Sequence, residues 1–136
     1  MTKFTLRSDD VSVKPVAYES FVWRESSLWP GVRFQLLRMS LMRRLRLMQE
    51  LKNSAPEAAF HRAQGEVGDE IAAWELQAGI DERVLRTALV CIEGLDIDGR
   101  AATVDSLIES GPEGLAREIA EAIADESSLG EEQRKN

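Results

Sequence analysis

The chain has 136 residues, a length that one domain accounts for and that can bury a core without disulfides or metals. Hydrophobic residues make up 43% of it, which excludes wholesale disorder, and no run approaches the ~18 consecutive apolar residues of a membrane span. Net charge is −7, but residues 1–55 hold ten Lys/Arg against five Asp/Glu, whereas residues 56–136 hold seven against nineteen.

A basic first part joined to an acidic remainder suits a partner of one sign, or head-to-tail self-association. The opening MTKFTLRSDD turns polar too early for a secretory signal, so the expected location is the cytoplasm of the cell that makes the protein. The single cysteine, Cys91, sits among Ala88, Leu89, Val90 and Ile92. It reads as a buried small hydrophobe in a reducing compartment.

In chain order, Lys3–Leu6 alternates polar and apolar, enough for a short edge strand. Val11, Val13 and Val16 make a second extended run, which Pro15 confines to an edge. The stretch Tyr18–Trp23 is β-rich, Trp29-Pro30-Gly31 is turn punctuation, and Val32, Phe34 and Leu36 then share one face of a strand. Residues 1–39 are therefore expected to form a small antiparallel β element of two to four strands.

Ser40 is a good N-cap for a helix from Leu41 to about Asn53, a stretch without Gly or Pro. Its Leu41, Leu45, Met48 and Lys52 share one line, as do Leu41, Leu45, Leu47 and Leu51 with a small angular drift, and Arg43, Arg44 and Arg46 fall mainly on the other side. Such a basic amphipathic helix can bury its apolar stripe in the core, lie on a membrane, fill a groove or touch nucleic acid. Pro56 and Glu57 suit the first turn of the next helix. Phe60, Val67, Ile71, Trp74 and Ala78 keep helical spacing, with a break expected at Gly65 and Gly68 and a joint at Gly79-Ile80-Asp81. Val84, Leu85, Ala88, Leu89 and Ile92 fit one helical face closed by Gly94, with Leu89–Ile92 as a strand the alternative.

Asp98-Gly99 is a hairpin-type turn between Leu95, Ile97 and the returning Ala101, Ala102. Thr103 or Asp105 can cap a short helix carrying Val104, Leu107 and Ile108. Ser110-Gly111-Pro112 ends that helix and begins a last one with Leu115, Ile119 and Ile123. Residues 126–136 read as a polar tail that frays. The fold class is thus α+β, mostly α, in one domain: β-rich over 1–39, helical over 40–125. The expected core includes Leu41, Leu45, Leu89, Ile92, Leu115, Ile119 and Ile123.

No catalytic or metal motif emerges. With Gly99 at the sixth position of a calcium loop, the first ligand position falls on Gly94 and the twelfth on Asp105, which lacks the pattern's ends. His61 is the only histidine and has no Cys or second His nearby. Glu70 with Glu75, and Glu118 with Glu121, read as solvated helix faces rather than catalytic pairs. There is no phosphate loop and no nucleophile elbow. The chain reads as a non-enzyme without cofactor.

Two blocks carry a resemblance. One runs from Trp29-Pro30-Gly31-Val32-Arg33-Phe34 through Met39-Ser40-Leu41-Met42-Arg43-Arg44. The other comprises Ile92-Glu93-Gly94-Leu95-Asp96-Ile97-Asp98-Gly99, Ser110-Gly111-Pro112-Glu113, the helix with Leu115, Glu118 and Ile119, and the ending Glu131-Glu132-Gln133-Arg134-Lys135-Asn136. Together, over about half the chain and without Lys52–Arg86, they resemble tail assembly chaperones of long-tailed bacteriophages and prophages. The resemblance implies a chaperone in the host bacterial cytoplasm that binds the tape measure protein, helps bring tail tube protein to it, and leaves before the particle is complete. It also implies a possible longer product by frameshifting, for which Arg134-Lys135-Asn136 could encode a slip-prone run of A.

The candidate partner-binding residues are Met42, Met48, Arg43, Arg44, Arg46 and Trp29, because methionines on an amphipathic helix repack against varied apolar partners. A homo-oligomer is compatible with the charge split. The alternatives are a structural tail connector retained in the virion and a small nucleic-acid-binding regulator using Arg38, Arg43, Arg44 and Arg46. Nucleic acid is the less expected partner, given so few arginines on so acidic a chain. No membrane partner is expected.

Overall fold

In the computed structural model, residues 14–135 are described, with side chains described to Ser127. The proposed strand at Lys3–Leu6, and Val11 and Val13 of the second run, lie outside these residues. Residues 14–19 form no strand, and Val16 is exposed. The β element proper consists of β1 (Phe21–Glu25) and β2 (Arg33–Leu37), an antiparallel hairpin in which Val22 faces Leu36 and Arg24 faces Phe34. Alternation along β2 buries Phe34 and Leu36 and leaves Arg33, Gln35 and Leu37 on the other face.

Ser40 caps α1 (Leu41–Leu51) as its position suggests, with its hydroxyl accepting from Arg43 N at 3.2 Å. The helix α2 (Ser54–Gln64) ends at Gly65, which takes φ +75°, a backbone shape that costs glycine little. Then α3 (Val67–Ala88) runs for 22 residues without interruption and packs along α2. The joint expected at Gly79 is absent. A single glycine costs a helix interior only ~1 kcal/mol, and here α2 on one side and the C-terminal helix on the other hold the segment straight.

The helical reading of Leu89–Ile92 gives way to its alternative. The chain leaves α3 directly into β3 (Leu89–Glu93), which pairs antiparallel with β2 to complete a three-stranded sheet in the order β1-β2-β3. The register explains the ambiguity. Gln35 opposes Cys91 but Leu36 opposes Leu89, so Val90 is an extra residue bulged out of the ladder. In a regular strand, a spacing of three puts two side chains on opposite faces. The bulge at Val90 returns both Leu89 and Ile92 to the core face, so a strand carries helix-like spacing.

Gly94, expected as a helix stop, instead takes φ +84° just past β3. There a Cβ would collide with the carbonyl oxygen of Gly31. Asp98 and Gly99, both at positive φ, form the tight turn between β4 (Asp96–Ile97) and β5 (Arg100–Ala101). Thr103 caps α4 (Val104–Ser110) in a reciprocal capping box with Ser106.

Last, α5 (Glu113–Lys135) lies on the inner face of the sheet. Its Leu115, Ile119 and Ile123 join Phe34, Leu36, Leu85, Leu89, Ile92 and Leu107 in one core, as expected for five of the seven predicted positions. The expected polar tail is not where the fold ends: α5 continues through residue 126, whose carboxylate is a tertiary contact. The architecture is α+β and mostly helical. Among the described residues no helix is long and apolar enough to cross a membrane.

Candidate interaction surface

The helix α1 carries two apolar stripes. At 100° per residue, Leu41, Leu45 and Met48 fall within one narrow sector, and Leu47 and Leu51 lie about 100° further round the helix. Only one stripe can face the protein. Leu47 and Leu51 are buried where α1 meets α3, together with Ala58 and Ala73 and apart from the main core. The other stripe is open: Leu41 is 84% exposed and Leu45 45%, with Met42 and Met48 about half exposed. Leu41 and Leu45 are therefore not core residues. Periodicity identified an apolar face correctly, but it could not say which of two faces the fold uses.

The arginines of α1 divide in the same way. Arg43 and Arg46 project into solvent with no ion pair among the described residues. Arg44 turns toward the fold, its Nη1 donating to the Ser127 carbonyl at 3.4 Å. Arg38 is engaged as well, donating through Nε to Glu126 at 3.0 Å and through Nη1 to the Glu19 carbonyl at 2.9 Å. Glu126 also accepts from Arg24 at 2.7 Å, and its side chain is only 8% exposed. Burial by itself would raise the pKa of this carboxyl. The hydrogen bonds from Arg38 and Arg24 outweigh that effect and hold it below the ordinary value.

Trp29 sits elsewhere. It belongs to the β1–β2 connection at the Arg33 end of β2, whereas α1 follows the Leu37 end, a strand length of ~16 Å away. Its loop is built on Glu118 of α5. Ser26 Oγ donates to Glu118 Oε1 at 2.6 Å, and Ser27 donates to Oε2 through its backbone N (2.7 Å) and its hydroxyl (3.0 Å). Ser26 Oγ in turn accepts from Leu28 N and Trp29 N. Burial again pushes the Glu118 pKa up, and these serine and backbone donors bring it below the ordinary value. Glu118 is thus a structural acceptor rather than part of a solvated face. Trp29 is a surface residue of a loop hydrogen-bonded to Glu118 and is not part of the α1 patch.

A second apolar patch lies on α3. The stripe Val67, Ile71, Trp74, Ala78, Asp81, Leu85 occupies one side of the helix. At its C-terminal end Leu85 is core, packed toward α4 and α5. Toward the N-terminus α3 overhangs the start of α5. Trp74 Nε1 still reaches Glu113 at 3.3 Å, but Val67, Ile71 (57% exposed) and Trp74 (52%) are uncovered. The overhang opens into a shallow groove of about 240 Å³ lined by Trp74, Ala78, Leu107, Ile108 and Ala116. Glu70 and Glu75 flank the stripe, with Glu82 and Glu113 at the groove mouth. Arg117 at its floor lies 3.6 Å from Asp81 and 3.4 Å from Glu113.

Helical spacing at Val67–Ala78 was visible in the sequence, but the overhang was not. The signal that could have exposed the α1 patch is its pair of separate apolar stripes on an Arg-rich helix. Cys91, expected to be buried, lies half-buried on the open sheet face, its Sγ 3.8 Å from Gln35 Oε1. On that face Arg33 stacks 4.1 Å over the Trp23 ring and pairs with Glu93 at 2.7 Å. His61 Nδ1 lies 2.7 Å from Asp69 Oδ1. No group of three or more metal-ligating side chains occurs among the described residues. Comparison with protein-family models, with curated proteins and with solved structures finds no match.

Proposed function

We propose that this protein is a non-enzymatic assembly chaperone of a long-tailed phage or prophage, which holds the helical tape measure protein and helps bring tail tube protein to it in the host cytoplasm. The observation that supports the reading best is the open Leu41–Met42–Leu45–Met48 face of α1, with Arg43 and Arg46 exposed further round the helix. Flexible methionines beside leucines on a rigid helix accept varied apolar partner helices. The resemblance of the two sequence blocks supports the same role. With Arg38 and Arg44 tied into the fold, α1 offers too few free cations for nucleic acid to be the favoured partner.

The test is co-expression with the tape measure protein encoded beside it. The wild type keeps that protein soluble and co-purifies with it. The double substitution Met42→Asp and Met48→Asp abolishes the complex and leaves the circular dichroism spectrum unchanged. Folded wild-type chain that neither solubilises nor retains the tape measure protein overturns the proposal. A stoichiometric amount of this chain in purified virions points instead to a retained connector.

A further inference from the structure

From Val67 to Glu82, α3 carries five acids, Asp69, Glu70, Glu75, Asp81 and Glu82, and no Lys or Arg. Its open apolar stripe runs through this stretch. At 100° per residue, Val67, Ile71, Trp74 and Ala78 fall within a sector of about 60°. Glu70 lies about 60° to one side of Val67, and Glu75 about 80° to the other. Both are exposed and have no ion pair among the described residues. Trp74 and Ala78 line the groove with Leu107, Ile108 and Ala116, and Ile71 and Val67 continue the stripe beyond it. The acids at the groove are only partly balanced. Asp81 and Glu113 share Arg117, at 3.6 and 3.4 Å, and Glu82 pairs with Arg86 at 3.1 Å.

An apolar stripe three turns long, with unpaired carboxylates on both flanks, is the complement of a helix whose apolar stripe is flanked by Lys or Arg. The same charges disfavour an acidic helix and nucleic acid. The chain's own α1 does not supply the pattern. Arg43 and Arg46 lie about 140–160° round that helix from Leu41, and only Lys52, at its C-terminal cap, shares the side of the open leucines. A second copy that set Leu41 and Leu45 against Ile71 and Trp74 would hold those arginines away from Glu70 and Glu75.

We infer that the overhang of α3 is a docking site for a basic amphipathic helix of a partner protein. The apolar residues of that helix pack on Val67, Ile71 and Trp74, and the last of them enters the groove beside Ala78 and Ile108. Its cations meet Glu70 and Glu75. This site is separate from the α1 face, so it stands or falls independently of the tape measure reading.

The test uses the intact chain and two synthetic peptides. Both are capped alanine-based helices with leucines at i, i+4, i+7 and i+11. One has lysines on both flanks of the leucine stripe, and the other has glutamates at the same positions. Calorimetry is expected to show binding of the lysine peptide, weakening as salt rises, and binding of the glutamate peptide at least roughly tenfold weaker. The indole N–H resonance of Trp74, which donates to Glu113 at 3.3 Å, shifts on binding, and those of Trp23 and Trp29 stay in place. Ile71→Asp weakens the lysine peptide by at least roughly tenfold, whereas Leu45→Asp leaves it unchanged. Glu70→Lys with Glu75→Lys keeps every apolar residue and reverses the preference to the glutamate peptide. This charge variant decides the matter if Ile71→Asp fails to fold.

No binding of either peptide overturns the inference, as does equal binding of the two. Binding lost in Leu45→Asp and kept in folded Ile71→Asp places the contact on α1 and overturns it as well. Self-association of the wild type that Ile71→Asp abolishes assigns the overhang to a second copy instead.

Discussion

At the scale of single residues, the two leucines of α1 that differ in burial make the clearest pair. Leu45 is 45% exposed and Leu47 is 3% exposed, two positions apart on one helix. Truncating Leu47 to Ala removes buried apolar surface and leaves a cavity, at a cost of roughly 2–5 kcal/mol. Leu45→Ala in dilute monomer changes stability by less than about 0.5 kcal/mol. Urea unfolding of the two variants side by side checks both figures.

Glu126 sets an acid limit at the same scale. Its pKa in the fold lies below the ordinary value because Arg38 and Arg24 donate to it, overcoming the effect of burial. The unfolded chain therefore binds this proton more readily than the folded one. The stabilisation is full above about pH 4.3, the ordinary carboxylate value, and is lost as pH falls through the lower folded value. Glu118 acts in the same direction. The urea midpoint is expected to drop as pH goes from about 5 to about 3, and Glu126→Gln is expected to flatten that drop. An unchanged pH slope in the variant would mean that the carboxylate is not held by its arginines in solution.

At the scale of elements, α3 is the frame on which the others are mounted. One side receives α2 and α1. The other receives α4 and α5 near its C-terminus and stays bare near its N-terminus. Gly79 lies in its interior, and a Cβ there would meet nothing within 4 Å. Gly79→Ala is therefore expected to raise stability by about 0.5–1 kcal/mol, through the lower entropy of the unfolded chain and the better helix former. A thermal melt reads the gain. A loss would show that the backbone at Gly79 departs from a helix in solution.

The bulge at Val90 is the other element-scale device. Without the extra residue, Leu89 or Ile92 would point to the open face of the sheet, and the core would lose one of its larger side chains.

At the scale of the whole molecule, two apolar faces stay open, one on α1 and one on the overhang of α3. The proposed tape measure contact uses the first. A soluble tape measure segment is therefore expected to bind the wild type and Ile71→Asp alike and to lose its binding to Leu45→Asp, read by calorimetry. Binding lost in Ile71→Asp and kept in Leu45→Asp would place the contact on α3.

Local chemistry was legible from the sequence wherever a residue's effect stays within a few positions. Ser40 and Thr103 as caps, Asp98-Gly99 as a turn with both residues at positive φ, Ser110-Gly111-Pro112 as a helix boundary and the alternating β2 all depend on neighbours along the chain. So does the apolar pattern of Leu115, Ile119 and Ile123, which has only one stripe to offer the core. What the tertiary structure alone decided involves a choice between equivalent local options. Leu89–Ile92 became a strand because β2 was there to pair with it and a bulge could absorb the wrong spacing. Glu126 is tied to the fold because Arg24 and Arg38, about ninety to a hundred positions earlier, bind its carboxylate. Of the two stripes on α1, Leu47 and Leu51 were buried and Leu41 and Leu45 left open, because periodicity defines faces but only packing selects the one turned inward.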